Sequence, residues 1–179
     1  MSFSIENLEF FFIILVRISA FVATAPFFSQ SNVPRRVKAF FAIFIAIVIF
    51  QALDYTPLAY EGVIGFAMLI LKEALVGIMM GFLCQACMYV LDFAGHFIDV
   101  EIGFAMVMSL DPSTNLQTSI TGTLYSCLVT LMLMITNMHH FILSAAVDSF
   151  RLVPIGESVF RPTLYMILSE FLSDYFVIA

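Results

Sequence analysis

The sequence predicts an all-α integral membrane protein, and three observations predict it. Hydrophobic residues make up 62% of the 179 and charged residues 11%, against about 45–50% and about a quarter in soluble domains. With a mean hydropathy of +1.06, too much apolar surface would remain at a water boundary, so lipid or a large assembly must cover it. The apolar runs also fail to alternate: Phe40-Phe41-Ala42-Ile43-Phe44-Ile45 lacks the in–out pattern of a barrel strand. Helices then remain as the way to satisfy backbone groups in lipid. Finally, turn chemistry separates the runs, at Ser31-Asn32-Val33-Pro34, Asp54-Tyr55-Thr56-Pro57, Asp111-Pro112-Ser113 and Val153-Pro154-Ile155-Gly156.

Five apolar stretches follow in order. The first, residues 10–28, is interrupted by Arg17 and ended by Pro26. Ahead of it stand Glu6 and Glu9 and no base, the reverse of a secretory leader, so this run is expected to be retained. The second, residues 39–53, holds 15 residues, short of the ~20 that cross a bilayer. The third, residues 62–91, is interrupted by Lys72-Glu73 and holds 30 residues, or ~45 Å as one helix. It must tilt, break or leave the lipid. The fourth, residues 124–135, is followed by His139-His140 and a short run over 141–147, and the fifth begins near Thr163 and reaches Ala179. Placing Arg35, Arg36 and Lys38 in the cytoplasm puts Arg151 and Arg161 outside, so the positive-inside rule is poorly obeyed.

A net charge of −6, with no basic cluster beyond Arg35, Arg36 and Lys38, argues against a nucleic-acid partner. Cys84 and Cys87 have CxxC spacing, but they and Cys127 lie in apolar runs and are read as packing residues. Metal ligation by Asp92, His96 and Asp99 is set against a solvated polar helix end, which is preferred, and His139-His140 diverge on a helix. Nucleophile–base pairs, phosphate loops and HExxH motifs do not occur, so neither enzyme, metal nor cofactor is expected.

On one continuous helix, Glu73, Gly77, Gly81, Cys84, Met88, Asp92, Gly95 and Asp99 share a stripe about 100° wide. Gly77 and Gly81 form a GxxxG within it, which lets another helix approach closely. Glu73, Gly77, Gly81, Gly95 and Asp99 are expected to pack against neighbouring subunits, with an aqueous path as the sharper alternative. A charge at a helix centre costs about 2.5–3.5 kcal/mol on insertion scales, so Glu73 needs a partner. Arg17 is the candidate, and reversing both charges is expected to rescue either single reversal. A proton relay is the alternative. Residues 102–112, apolar but too short to span, read as a re-entrant or tucked loop, with an amphipathic connector as the alternative.

Taken together these residues resemble the FliR family of the flagellar type III export gate, whose virulence-secretion relatives include the SpaR and YscT proteins. The resemblance rests on Arg17, Pro26-Phe27 and Val33-Pro34-Arg35-Arg36-Val37; on Glu73, Gly77, Gly81-Phe82, Ala94-Gly95, Asp99, Gly103-Phe104 and Asp111-Pro112; and on His139-His140, Asp148-Ser149-Phe150 and Val153-Pro154-Ile155-Gly156. Where the family has Gly before the first His, this chain has Met138. Family members continue with further apolar segments, so residues 1–179 are expected to be one C-terminally incomplete domain. The resemblance implies a non-enzymatic subunit built of helical hairpins, joined to FliP and FliQ in a helical ring with FlhB at its entrance. It implies a place in the flagellar basal body at the bacterial inner membrane, with the gate core raised from the lipid plane. Unfolded export substrates would pass through, driven by the proton-motive force and a separate ATPase. A plug over residues 103–115 would seal the pore, with Gly103, Phe104, Met106, Met108, Asp111 and Pro112 as its residues. The competing readings are the virulence-system counterpart and an ion-coupled small-molecule transporter using Glu73, Lys72 and Asp92.

Overall fold

The computed structural model describes residues 5–26, 33–53, 58, 60–103 and 119–156. Among these, every regular element is a helix: α1 (Ile5–Thr24), α2 (Arg35–Ala52), α3 (Gly62–Ile102), α4 (Ile120–Ile135) and α5 (Met138–Leu152). The chain is an all-α membrane protein. α1 over Glu6–Thr24 and α3 over its whole length are apolar and long enough to cross a membrane; α4 and α5 together make a third such length, bent by 79°.

α1 is the central helix. Phe10, Ile13, Ile14, Arg17, Ile18, Phe21, Val22 and Ala25 are all buried, at alternating steps of three and one. That spacing is the face of an amphipathic helix, covering about half its circumference and wider than a strict coiled-coil seam. α2 packs antiparallel to it, since Phe50 near its C-terminus meets Phe10 and Phe11 near the start of α1. α2 begins at Arg35 rather than near Ala39, because the basic residues after Pro34 form its first turn. Pro34 suits the flank of a helix start, where its missing N–H is no loss.

α3 runs parallel to α1 and is continuous for 41 residues, about 60 Å at 1.5 Å per residue. The expected end near Leu91 is passed because Asp92, His96 and Asp99 do not break a helix; Gly103 does, in a left-handed conformation at φ 87°. That conformation disfavours any residue with a Cβ. Before α3, the Tyr60 hydroxyl donates to Glu9 of α1 at 2.6 Å. α4 returns antiparallel along the C-terminal half of α3, starting at Ile120, four residues earlier than the apolar run suggests.

The turn between α4 and α5 is made by Asn137, at φ 57°. Asn tolerates the left-handed region because its short amide bonds locally. Met138 in place of glycine is therefore no obstacle to a tight turn: it is the first residue of α5, and the positive φ falls one position earlier. The adjacent His139 and His140 rings do not diverge but lie 4.1 Å apart between centroids. The last apolar run, from Thr163, lies outside the described residues.

Candidate functional site

Two polar clusters, both anchored on α3, hold the other helices to it. The first begins with Arg17, 1% exposed in the middle of α1. Its Nε donates to Glu73 Oε2 at 2.5 Å, and Glu73 is equally buried. Its Nη1 donates to the carbonyls of Val153 at 3.0 Å and Ser149 at 3.3 Å. These carbonyls belong to the C-terminal end of α5, where the helix dipole favours a cation. The guanidinium also lies 4.3 Å from the centroid of the Phe150 ring. The other Glu73 oxygen, Oε1, accepts from the Gly156 N–H at 3.2 Å. One ion pair thus binds α1, α3, the end of α5 and the following turn.

The second cluster lies 26 residues further along α3. Asp99 is 2% exposed. Its Oδ2 accepts from Ser119 Oγ at 2.6 Å, and Oδ1 from the Thr121 N–H at 3.2 Å and from Thr121 Oγ1. Ser119 Oγ in turn accepts from the Gly122 N–H at 2.8 Å, as an N-cap. A carboxylate at a helix N-terminus meets unpaired N–H groups and the positive end of the dipole. Asp99 and Ser119 together therefore fix where α4 starts. Gly103 and Ser119, the two ends of the intervening stretch, are held within a turn of this cluster.

Small residues let the helices close around these clusters. A Cβ built at Gly77 would strike the Arg17 carbonyl, with Ala20 Cβ at 2.9 Å; one at Gly81 would strike Thr24 Oγ1, with Thr24 Cβ at 2.7 Å. A Cβ at Gly95 would strike Gly122 and meet Ser119 Oγ at 3.0 Å. The stripe of Glu73, Gly77, Gly81, Gly95 and Asp99, expected to face neighbouring subunits, is thus occupied by the chain's own α1 and α4. The reason is register: α1 pairs with α3 at a constant offset of 56–57 residues, 17 with 73 and 24 with 81. The GxxxG glycines are spent on that contact.

The remaining candidates separate. Asp92 is exposed and accepts from Ser126 Oγ at 3.1 Å; His96 is exposed, whereas Asp99 is buried, so the three do not form a shared solvated end. No metal-ligand group of three occurs among the described residues. Lys72 and Glu73 stand about 28 Å from Asp92 along the α3 axis, so a transporter's coupling residues are not gathered into one site. Cys84 packs at the edge of the core, the Cys87 thiol donates to the Leu83 carbonyl at 3.7 Å, and Cys127 is exposed. Of the plug residues only Gly103 is described; Phe104, Met106, Met108, Asp111 and Pro112 lie outside the described residues.

The bacterial export proteins, family 1, match this chain over residues 8–179. The chain belongs to that family. The FliR proteins anticipated from the sequence are among its relatives in the family. The flagellar biosynthetic protein FliR of Bacillus subtilis strain 168 is 32% identical over 148 residues, covering 83% of this chain and 57% of its own length. FliR of Escherichia coli K12 is 29% identical over 164 residues, covering 91% and 62%, and FliR of Buchnera aphidicola from Schizaphis graminum 28% over 167 residues, covering 93% and 64%. The chain thus spans 57–64% of the length of these export-family relatives.

Ser149, Val153 and Gly156 stand out in the sequence only through a turn segment and the family resemblance, with no role assigned, and Ser119, Thr121 and Gly122 do not stand out. Ser119-Ile120-Thr121 before an apolar run carries a helix-start signal. Ser149 and Val153 act through backbone carbonyls, which carry no mark in the side-chain sequence.

Proposed function

We propose that this chain is a non-enzymatic subunit of a flagellar type III export gate, helping to form and seal the channel through which unfolded flagellar proteins leave the cell. The observation that carries the reading is the export-family match over residues 8–179, together with relatives bearing the FliR name. The outer surfaces fit a chain that works among companions: α4 buries only Gly122 and exposes Leu124, Leu128, Leu131, Met132, Met134 and Ile135. In this reading the companions are FliP and FliQ, with FlhB at the entrance, in the inner membrane at the flagellar base. Residues 103–115 act as the plug. The clusters on α3 shape the subunit, and the Asp99 cluster sets the spacing between the two ends of the plug segment.

The experiment is expression of the full-length protein, tagged, in a flagellated host lacking its own copy. Recovery of swimming, with co-purification of two smaller membrane proteins at unequal copy number, is expected. Purification as a lone symmetric oligomer with no effect on motility would reject the reading. Deleting residues 103–115 from the assembled gate is expected to raise small-ion leak across the membrane, measured as loss of a potassium gradient. An unchanged leak counts against the plug.

A further inference from the structure

The outer face of α2 combines charge with apolar surface in a way that neither polar cluster uses. Val37, Phe40, Phe44 and Val48, three or four residues apart, are 54%, 73%, 65% and 52% exposed. The opposite face, Ala42, Ala46 and Ile49, is buried in the core around α1. The helix is therefore inverted relative to a soluble one, with large side chains outward and small ones inward. At its head Arg35 and Arg36 are exposed and Lys38 is partly so. These are three of the chain's seven bases, and no ion pair reaches them among the described residues.

Among the described residues their position is electrostatically adverse. They occupy the first turn of α2, which contains no acid, and the N-cap Pro34 offers no side-chain acceptor. The helix dipole presents its positive end there, which favours anions and opposes cations. Three cations so placed are favoured by negative charge set beside them. The apolar face says where that charge comes from: Val37 to Val48 rises about 16 Å along the axis, half of a hydrocarbon core about 30 Å thick. The charges sit at one end of that rise, as a headgroup sits above its own leaflet.

We propose that this face of α2 binds anionic phospholipid from one leaflet, its phosphate against Arg35, Arg36 and Lys38 and its acyl chains along Val37, Phe40, Phe44 and Val48. A zwitterionic headgroup brings a cation of its own and sets no net charge against the three bases; each anionic headgroup adds one net negative charge beside them. The claim is one of headgroup selectivity, beyond contact with lipid in general.

The test uses the full-length protein with its membrane partners, reconstituted in equal parts of phosphatidylcholine and phosphatidylglycerol. Retained lipids are counted by native mass spectrometry after transfer to detergent. Phosphatidylglycerol is expected to be enriched. Arg35→Gln, Arg36→Gln and Lys38→Gln together should lower the enrichment, by about fivefold per charge removed. Arg35→Lys with Arg36→Lys should preserve it, as should Arg151→Gln, which alters an exposed base on another helix. In parallel, a photoreactive residue at Phe44 should label lipid. Equal retention of the two lipids, unchanged enrichment in the triple variant, or a crosslink from Phe44 to a neighbouring protein chain would each overturn the proposal. Should the triple variant fail to accumulate, the unaltered protein's enrichment and the Phe44 crosslink decide alone.

Discussion

Removing either member of the Arg17–Glu73 pair would leave a charge in a place where no water reaches it, since each side chain is 1% exposed. Breaking a buried pair from one side costs about 3–5 kcal/mol. Arg17→Met and Glu73→Gln are each expected to destabilise the chain by that amount, read from denaturant titration in detergent. Reversing both charges, which the bare pair would tolerate, is expected to fail. A carboxylate at position 17 would face the Ser149 and Val153 carbonyls, and a guanidinium at position 73 would face the Gly156 N–H. A double variant as stable as the unaltered protein would show that these flanking bonds contribute little. The sequence states that each charge needs a partner, because both stand inside apolar runs. It does not state the direction of the site, because that is set by backbone groups.

At the scale of single elements, two glycines on α3 matter for unrelated reasons. Gly77 has no room: a Cβ there meets the backbone of α1, and overpacking of this kind costs about 1–3 kcal/mol. Gly103 has room but a left-handed backbone, with nothing within 4 Å. Gly77→Ala should therefore lower stability and shift α1 against α3, seen as a changed distance between spin labels on the two helices. Gly103→Ala should lower stability, by about 1 kcal/mol, with that distance unchanged. Asp99→Ala removes the acceptor for the first turn of α4; loss of a cap costs about 1–2 kcal/mol. Faster amide exchange at Thr121 is the expected sign, and unaltered exchange would mean that Ser119 alone sets the helix start. The helices themselves were legible from unbroken apolar runs and turn residues. Their ends were less so: charged first turns, as in α2, and polar last turns, as in α3, continue a helix without continuing the hydrophobic pattern.

For the molecule as a whole, the decisive property is how much of the apolar surface its own helices leave uncovered. Val63, Ile64, Ile135 and Leu152 are each 80% exposed or more, and Phe40 is 73% exposed. Alkaline carbonate is accordingly expected to leave the full-length protein in the membrane pellet, while detergent releases it; release by carbonate would contradict an integral protein. Composition alone made this class readable. The glycine stripe meets α1 and α4 of its own chain, which its spacing could not name for a reason of the same scale: periodicity shows that a face is packed and is silent about which chain packs it.

The unbroken run of α3 has a mechanical corollary. It outreaches a hydrocarbon layer of about 30 Å by a comparable distance, and it carries one fastening near its first third and another close to its far end. A continuous helix resists twisting along its length. The Asp99 and Arg17 junctions stand about 39 Å apart on one uninterrupted rod, so a shift of either along the axis must be matched by the other or interrupt the helix.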